Sequence, residues 1–226
     1  MGGPACLERC SDMGMYTMLE KDMGLRGVVY IAYGWRAVKE AGYSIATLRQ
    51  WEPELPIAVI GERVDGADFI PFEDRDSVGR WAKVNLDRIS PFETTWYLDA
   101  DTRIHGKIEG GFRICLDGWD IAVAPSPAQG GDALWHVSDG EREATIGELG
   151  YQPLQLQGGV FFFRKCEAVG RFFAAWREEW SRWKGQDQGA LLRALHRSPV
   201  RMWVLGRDWN GGALVEHRYG AARVRA

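Results

Sequence analysis

Continuous apolar runs alternate along this chain with stretches of helical spacing. Gly27-Val-Val-Tyr-Ile-Ala-Tyr33 is an unbroken run of strand length, the pattern of a strand buried on both faces of a parallel sheet. Val38, Ala41, Ile45 and Leu48 follow at helical spacing and predict an amphipathic helix over 35–50. Beyond Pro53 and Pro56, Ile57-Ala-Val-Ile60 is a second buried strand, and Asp68–Pro71 reads as a short edge strand. Val78, Trp81, Val84 and Ile89 predict a helix over 77–89, ended by Pro91. Thr95-Trp-Tyr-Leu98 is a strand that runs into Asp99-Ala-Asp101. Residues 108–116 are short and mixed, and Ile121-Ala-Val-Ala124 is a strand. Residues 126–153 show little period and predict an irregular, lid-like segment, mobile until a ligand orders it. Leu156–Phe163 is a strand interrupted by Gly158-Gly159. Residues 168–183 form a strong helix, 188–196 a shorter one, and Val200–Leu205 the last strand.

Strands that alternate with helices predict an α/β fold with a mainly parallel central sheet flanked by helices. The length of 226 residues suits one domain, placed at 26–226. Residues 1–25, rich in Met and charge with weak period, read as a leader, weakly ordered or peripheral. A net charge of −3 supplies no general field for nucleic acid or anionic membranes, so a charged partner has to be met at a local site. Eleven Trp fit either a large aromatic core or a surface that stacks flat ligands. Cys6, Cys10, Cys115 and Cys166 make neither a disulfide framework nor a zinc site. There is no secretory signal, no myristoylation pattern and no apolar run near the ~20 residues of a transmembrane segment. The expectation is a soluble, cytoplasmic protein.

The sharpest chemical signal is Trp96-Tyr-Leu-Asp99-Ala-Asp101-Thr102. Two carboxylates leave the carboxyl end of an apolar strand, the edge at which open α/β sheets bind ligands. Two acids so close repel unless a cation lies between them. Mn²⁺ or Mg²⁺ suits that place, because both prefer carboxylate oxygens and also hold substrate phosphates. A solvated loop pair is the plain alternative. Haloacid-dehalogenase-like phosphatases carry a D-x-D-x-T motif at such a strand end. Here Arg103 stands at the Thr position, His136 stands where a later acid is needed after Gly131-Asp132, and at least two strands precede the motif.

A second class covers most of the chain, from about Gly27 to Arg223. Ser90-Pro-Phe-Glu with Tyr97-Leu-Asp-Ala-Asp-Thr, Leu156-Gln-Gly-Gly-Val-Phe-Phe-Phe163 and Asp187-Gln188-Gly-Ala-Leu191 come first. Trp209-Asn210 and His217-Arg-Tyr-Gly220-Ala-Ala-Arg223 complete the order. Together they resemble the nucleotide-sugar-dependent glycosyltransferases of the GT-A type, in the glycogenin-like and lipopolysaccharide galactosyltransferase-like branch. Gln157 stands where that family usually has Asn, and Arg223 where it usually has Lys.

The resemblance implies a single Rossmann-like GT-A domain. It also implies a metal-dependent, hexosyltransferase-like, retaining transfer from a nucleotide-diphosphate sugar, above all a UDP-sugar, to an unidentified acceptor. Asp99 and Asp101 would hold Mn²⁺ or Mg²⁺ against the diphosphate, with Ala100 between them among the donor-binding residues. His217 would be a third metal ligand, or else a surface tail residue, and Arg223 a phosphate contact, so that the tail from Trp209 to Arg223 folds over the donor. Lys83, six residues from the end of its helix, either faces the donor or is solvated. Ala32, Tyr33 and Gly34 would meet base and ribose, with core packing the alternative for Tyr33. Gln157, Gly158 and Gly159 would lie along the donor sugar, the two glycines admitting it to the backbone or marking a bulge. Asp187 and Gln188 are the catalytic candidates, with a helix N-cap the alternative for Asp187. Phe173, Trp176, Trp180 and Trp183, at i, i+3, i+7 and i+10, read as core. The other readings of the chain are a nucleotide-sugar-binding protein without transfer activity and, third, a D-x-D phosphatase.

Overall fold

A computed structural model describes residues 26–73, 75, 79–126, 134 and 136–221. The first half of the chain runs β1 (Arg26–Ala32), α1 (Trp35–Trp51), β2 (Ile57–Gly61), β3 (Asp68–Ile70), α2 (Arg80–Lys83), α3 (Leu86–Ile89), β4 (Thr94–Leu98), β5 (Thr102–Ile104) and α4 (Glu109–Leu116). It continues with β6 (Ile121–Pro125), α5 (Asp139–Leu149), β7 (Leu156–Arg164), α6 (Glu167–Trp183), α7 (Asp187–Arg197), β8 (Met202–Val204), a 3-10 turn (Arg207–Trp209) and β9 (Val215–His217).

The main sheet has the order β3-β2-β1-β4-β7-β6-β8. β3, β2, β1 and β4 are parallel, as are β6 and β8, and β7 alone runs against its two neighbours. The expected α/β class with a mainly parallel sheet is therefore the one observed. Period-two alternation sends successive side chains to opposite faces. Val29, Ile31, Tyr97, Phe161 and Phe163 pack under α6 and α7, while Val28, Tyr30, Trp96 and Phe162 pack under α1 and α4. Trp96 lies flat on Phe162 with centroids 5.1 Å apart, and burying each such ring is worth about 1.5–3 kcal/mol. Phe173, Trp176 and Trp180 are core as expected, and Trp183 lies at the surface. Trp96, Trp176 and Trp180 are thus interior, while Trp35, Trp51 and Trp203 join Trp183 at the surface. Cys115 and Cys166 are free thiols, and Cys6 and Cys10 lie outside the described residues. Among the described residues no helix is long and apolar enough to cross a membrane.

Four expectations change. The helix over 77–89 is two short helices, with residues 77 and 78 outside the described part. The Asn85 side chain donates to the Trp81 carbonyl at 2.8 Å and competes with the helical ladder there. The mixed 108–116 stretch is a helix. The irregular segment 126–153 contains α5, capped by the Ser138 hydroxyl accepting from Glu141 N–H and ended by Gly150 in the left-handed region. Residues 127–133 and 135 of that segment lie outside the described residues. Finally, β8 is not the last strand, because β9 follows and pairs antiparallel with β5.

Candidate metal and donor site

The site is assembled where β4 ends. Asp99 N–H donates to the Gly159 carbonyl at 2.7 Å, which ties the first acid to β7. The chain turns, the Thr102 hydroxyl donates back to the Asp99 carbonyl at 2.9 Å, and β5 begins. β9 pairs with β5 in the register Thr102↔His217 and Ile104↔Val215. That register sets the His217 imidazole beside the two acids, with Nε2 at 3.2 Å from Asp101 Oδ1 and 3.6 Å from Asp99 Oδ2. One ligand atom from each of Asp99, Asp101 and His217 lies within 4.8 Å of the others. His217 Nδ1–H donates to Asn210 Oδ1 at 2.7 Å, which turns the Nε2 lone pair toward the carboxylates. Three electron-pair donors converging on one point fit a bound cation. Two carboxylates and one imidazole form a donor set compatible with Mn²⁺ or Mg²⁺.

The C-terminal segment closes over this point. Arg218 N–H donates to the Asp101 carbonyl at 2.9 Å, and Asp101 Oδ2 accepts from Gly220 and Ala221 N–H at 2.6 and 3.0 Å. Burial pushes the Asp101 carboxyl up, but when the imidazole is protonated on Nε2 as well, its hydrogen bond and charge together with the Gly220 amide outweigh burial, and the pKa falls to about 2. Tyr219 stacks on His217 at 4.2 Å between centroids. Arg223 lies outside the described residues.

Lys83 ends α2, whereas the sequence reading set it inside a longer helix. It is buried, not solvated, with Nζ at 3.1 Å from both Asp99 Oδ1 and Asp187 Oδ2. Burial disfavours its charge, yet the two carboxylates prevail and hold its pKa above the ordinary lysine value. Tyr97 donates its hydroxyl to Asp99 Oδ1 at 2.6 Å. Asp187 is the first residue of α7 and Gln186 is the N-cap, so the capping alternative does not hold. Its carboxyl is raised by burial and pulled down further by Lys83 and then Arg80, with a net lowering. Trp176 Nε1 donates to the Asp187 carbonyl at 3.1 Å and fixes the start of α7 against α6. Gln188 donates to the Gln157 side chain across from β7.

Gly158 and Gly159 make room for protein groups. A Cβ at Gly158 would meet Asp187 Oδ2 at 2.9 Å, and one at Gly159 would meet Asp99 Oδ2 at 2.4 Å and His217 Cε1 at 2.6 Å. The bulge alternative also has support, since pairing between β6 and β7 shifts register between Val123 and Pro125. Gly159→Ala should therefore push Asp99 and His217 apart and lower Mn²⁺ affinity about 10-fold or more. Calorimetric titration of Mn²⁺ into the folded variant checks this, and unchanged affinity would mean the triad does not ligate.

Ala32, Tyr33 and Gly34 leave β1 at the same sheet edge as Asp99, with Ala32 paired to Gly61. Tyr33 is half-buried against the core, and its hydroxyl donates to the Phe72 carbonyl at 2.7 Å. Ala100 is buried in the other core layer. The sequence reading gave no role to Asn210 or Tyr219, and Tyr97 was missed as a partner of Asp99. The two-residue spacing of Tyr97 and Asp99 on one strand face was the available signal.

No protein-family model matches the chain, and no curated protein matches it. Among solved structures it is similar to the apo structure of WbbM, a bifunctional glycosyltransferase, with a TM-score of 0.60 and 14% identity. The match covers 81% of this chain and 39% of that one. The likeness is one of fold, that of a Rossmann-like GT-A domain.

Proposed function

We propose that the protein is a metal-dependent glycosyltransferase that takes its sugar from a nucleotide diphosphate. The observation that carries this reading is the delivery of His217 by β9 to Asp99 and Asp101 at the carboxyl edge of the sheet. Residues 26–226 would act as one domain. A bound Mn²⁺ or Mg²⁺ would supply Lewis-acid neutralisation of the two phosphates. Asp99, Asp101 and His217 would hold it, with Asn210 orienting the imidazole. Lys83 is a buried ammonium already poised between Asp99 and Asp187, and it would add positive charge beside the departing diphosphate. Asp187, Gln188 and Gln157 stand together past the glycines of β7 and would hold the sugar. Arg223 would contact phosphate, and Ala32, Tyr33 and Gly34 would receive base and ribose. A UDP-sugar donor and retention of configuration rest on the sequence resemblance.

The test is a thermal-shift screen of nucleotide sugars with and without Mn²⁺, followed by an assay for released nucleoside diphosphate with candidate acceptors. A ligand at 100 times its Kd should stabilise the fold by about 2.7 kcal/mol. The expected result is a Mn²⁺-dependent shift with one donor class, then turnover. A shift without turnover would make the protein a binder, and no shift with any donor would remove the reading.

A further inference from the structure

A run of buried hydroxyls lies beneath the metal turn, on the face of the sheet covered by α1. Tyr30 on β1, Ser44 in the middle of α1 and Thr102 at the start of β5 are all fully buried. Tyr30 Oη is 3.0 Å from Ser44 Oγ, Ser44 Oγ is 2.9 Å from Thr102 Oγ1, and Thr102 Oγ1 is 2.9 Å from the Asp99 carbonyl. The direction of the run follows from the last member. A carbonyl can only accept, so the single Thr102 proton goes to Asp99. Thr102 must then accept from Ser44, and Ser44 from Tyr30. Burial holds the Tyr30 phenol above its ordinary range, so it remains a donor at neutral pH.

Three hydroxyls buried in an otherwise apolar layer carry a desolvation cost that an apolar trio of similar size would avoid. What they gain here is a fixed polarity in which each bond strengthens the next. The same side of α1 grips the turn at two more points. Thr47 Oγ1 donates to the Ser44 carbonyl at 2.7 Å and accepts from Ile104 N–H at 2.9 Å. Glu40 Oε2 holds Arg103 at 2.5 Å and Arg218 at 3.3 Å. Glu40, Ser44 and Thr47 fall at i, i+4 and i+7, a polar stripe beside the apolar Ala37, Ala41, Ile45 and Leu48. One helix thus braces β5, which follows the acids, and the segment that carries His217.

We propose that Tyr30, Ser44 and Thr102 are positioning residues for the metal site, a one-way hydroxyl chain that fixes the Asp99–Thr102 turn and with it the carboxylate pair. This rests on the metal reading above. The test is Mn²⁺ binding to the full chain, by calorimetry and by the electron paramagnetic resonance spectrum of bound Mn²⁺, without a donor. Thr102→Val breaks the chain at its last link and should weaken Mn²⁺ about 10-fold or more, the loss expected when a group that orients a metal ligand is removed. Thr102→Ser keeps the hydroxyl and should restore wild-type affinity even where it lowers Tm. Tyr30→Phe keeps the ring and removes the first donor. It should weaken binding less than Thr102→Val and shift the same spectrum. A purely structural hydroxyl would lower Tm in these variants and leave affinity untouched, and that result would overturn the proposal. Should the wild-type protein bind no Mn²⁺, the metal reading itself fails and the chain's role with it. Wild-type binding with folded Tyr30→Phe and Thr102→Val equal to it would sink the positioning role alone.

Discussion

Asp101→Asn should abolish metal-dependent nucleotide binding, by at least about 100-fold, in a protein that still folds. Loss of a ligand outweighs the 10- to 100-fold effects of the groups around one. The size follows from how the two oxygens of Asp101 are used. Oδ2 accepts two backbone N–H groups from Gly220 and Ala221, and Oδ1 faces His217 Nε2 at 3.2 Å. An asparagine would keep its carbonyl oxygen on the two amides, because its NH₂ cannot accept. The NH₂ would then point at Nε2 and donate into the lone pair that a cation needs. One substitution removes a charge and also occupies a second ligand, while the C-terminal segment keeps its anchor. Titration of Mn²⁺ with nucleoside diphosphate into wild type and variant measures the effect. Equal affinity would remove Asp101 from the site.

Arg193→Met should cost the fold about 3–5 kcal/mol, the usual loss when one partner of a buried ion pair is taken away. The Arg193 side chain is fully buried where α5, α6 and α7 meet. It gives Nε to Glu179 at 2.9 Å, Nη2 to Glu141 at 3.2 Å and Nη1 to Thr145 at 2.5 Å. Glu179 would retain Arg182 and Arg197. Glu141, only 2% exposed, would lose its ion-pair partner among the described residues. Adding Glu141→Gln should recover part of the loss. Denaturant midpoints at constant slope read both changes, and a loss below about 1 kcal/mol would put the network in the class of surface pairs. Acid adds a second readout. Burial raises the Glu179 carboxyl, but hydrogen bonds from Arg197, Arg193 and Arg182 outweigh it and hold the pKa below 4.5. Its share of stability is therefore present above pH 4.5 and is lost as pH falls through the folded value. Glu141, held above its ordinary range by burial, works in the opposite direction.

The apolar runs of β1, β2, β4, β6 and β7 were legible because both faces of those strands are buried. α1 and α6 were legible because their burial repeats every turn. The direction of β7 was not, since an apolar run reads the same either way along a sheet. β5 and β9 have three residues each, too few to show alternation, and their pairing is a long-range choice with no local propensity behind it. α5 did carry a local signal in Ser138 and Glu141, the spacing of a helix N-terminus, but the surrounding Gly and Asp obscured it. Within the site, Asp99 and Asp101 stood out at a strand end. His217 came only through the resemblance, and the Lys83 bridge from Asp99 to Asp187 joins three separate segments. The Glu40, Ser44 and Thr47 stripe was hidden by the apolar positions that identify the same helix.

The distance along the chain between the two halves of the site has a consequence in time. The main sheet is complete once Val204 has been made, yet Gly220, which holds Asp101 from across the chain, comes 16 residues later. At 5–20 residues per second, that interval is roughly 1–3 s of synthesis. During it, a growing chain can bury its core while Asp99 and Asp101 still lack His217 and the amides of Gly220 and Ala221. The same holds for a chain clipped between β8 and β9. On the proposed reading, the capacity to hold a cation thus arrives after the fold, and a shortened chain would keep its main sheet while lacking the third ligand.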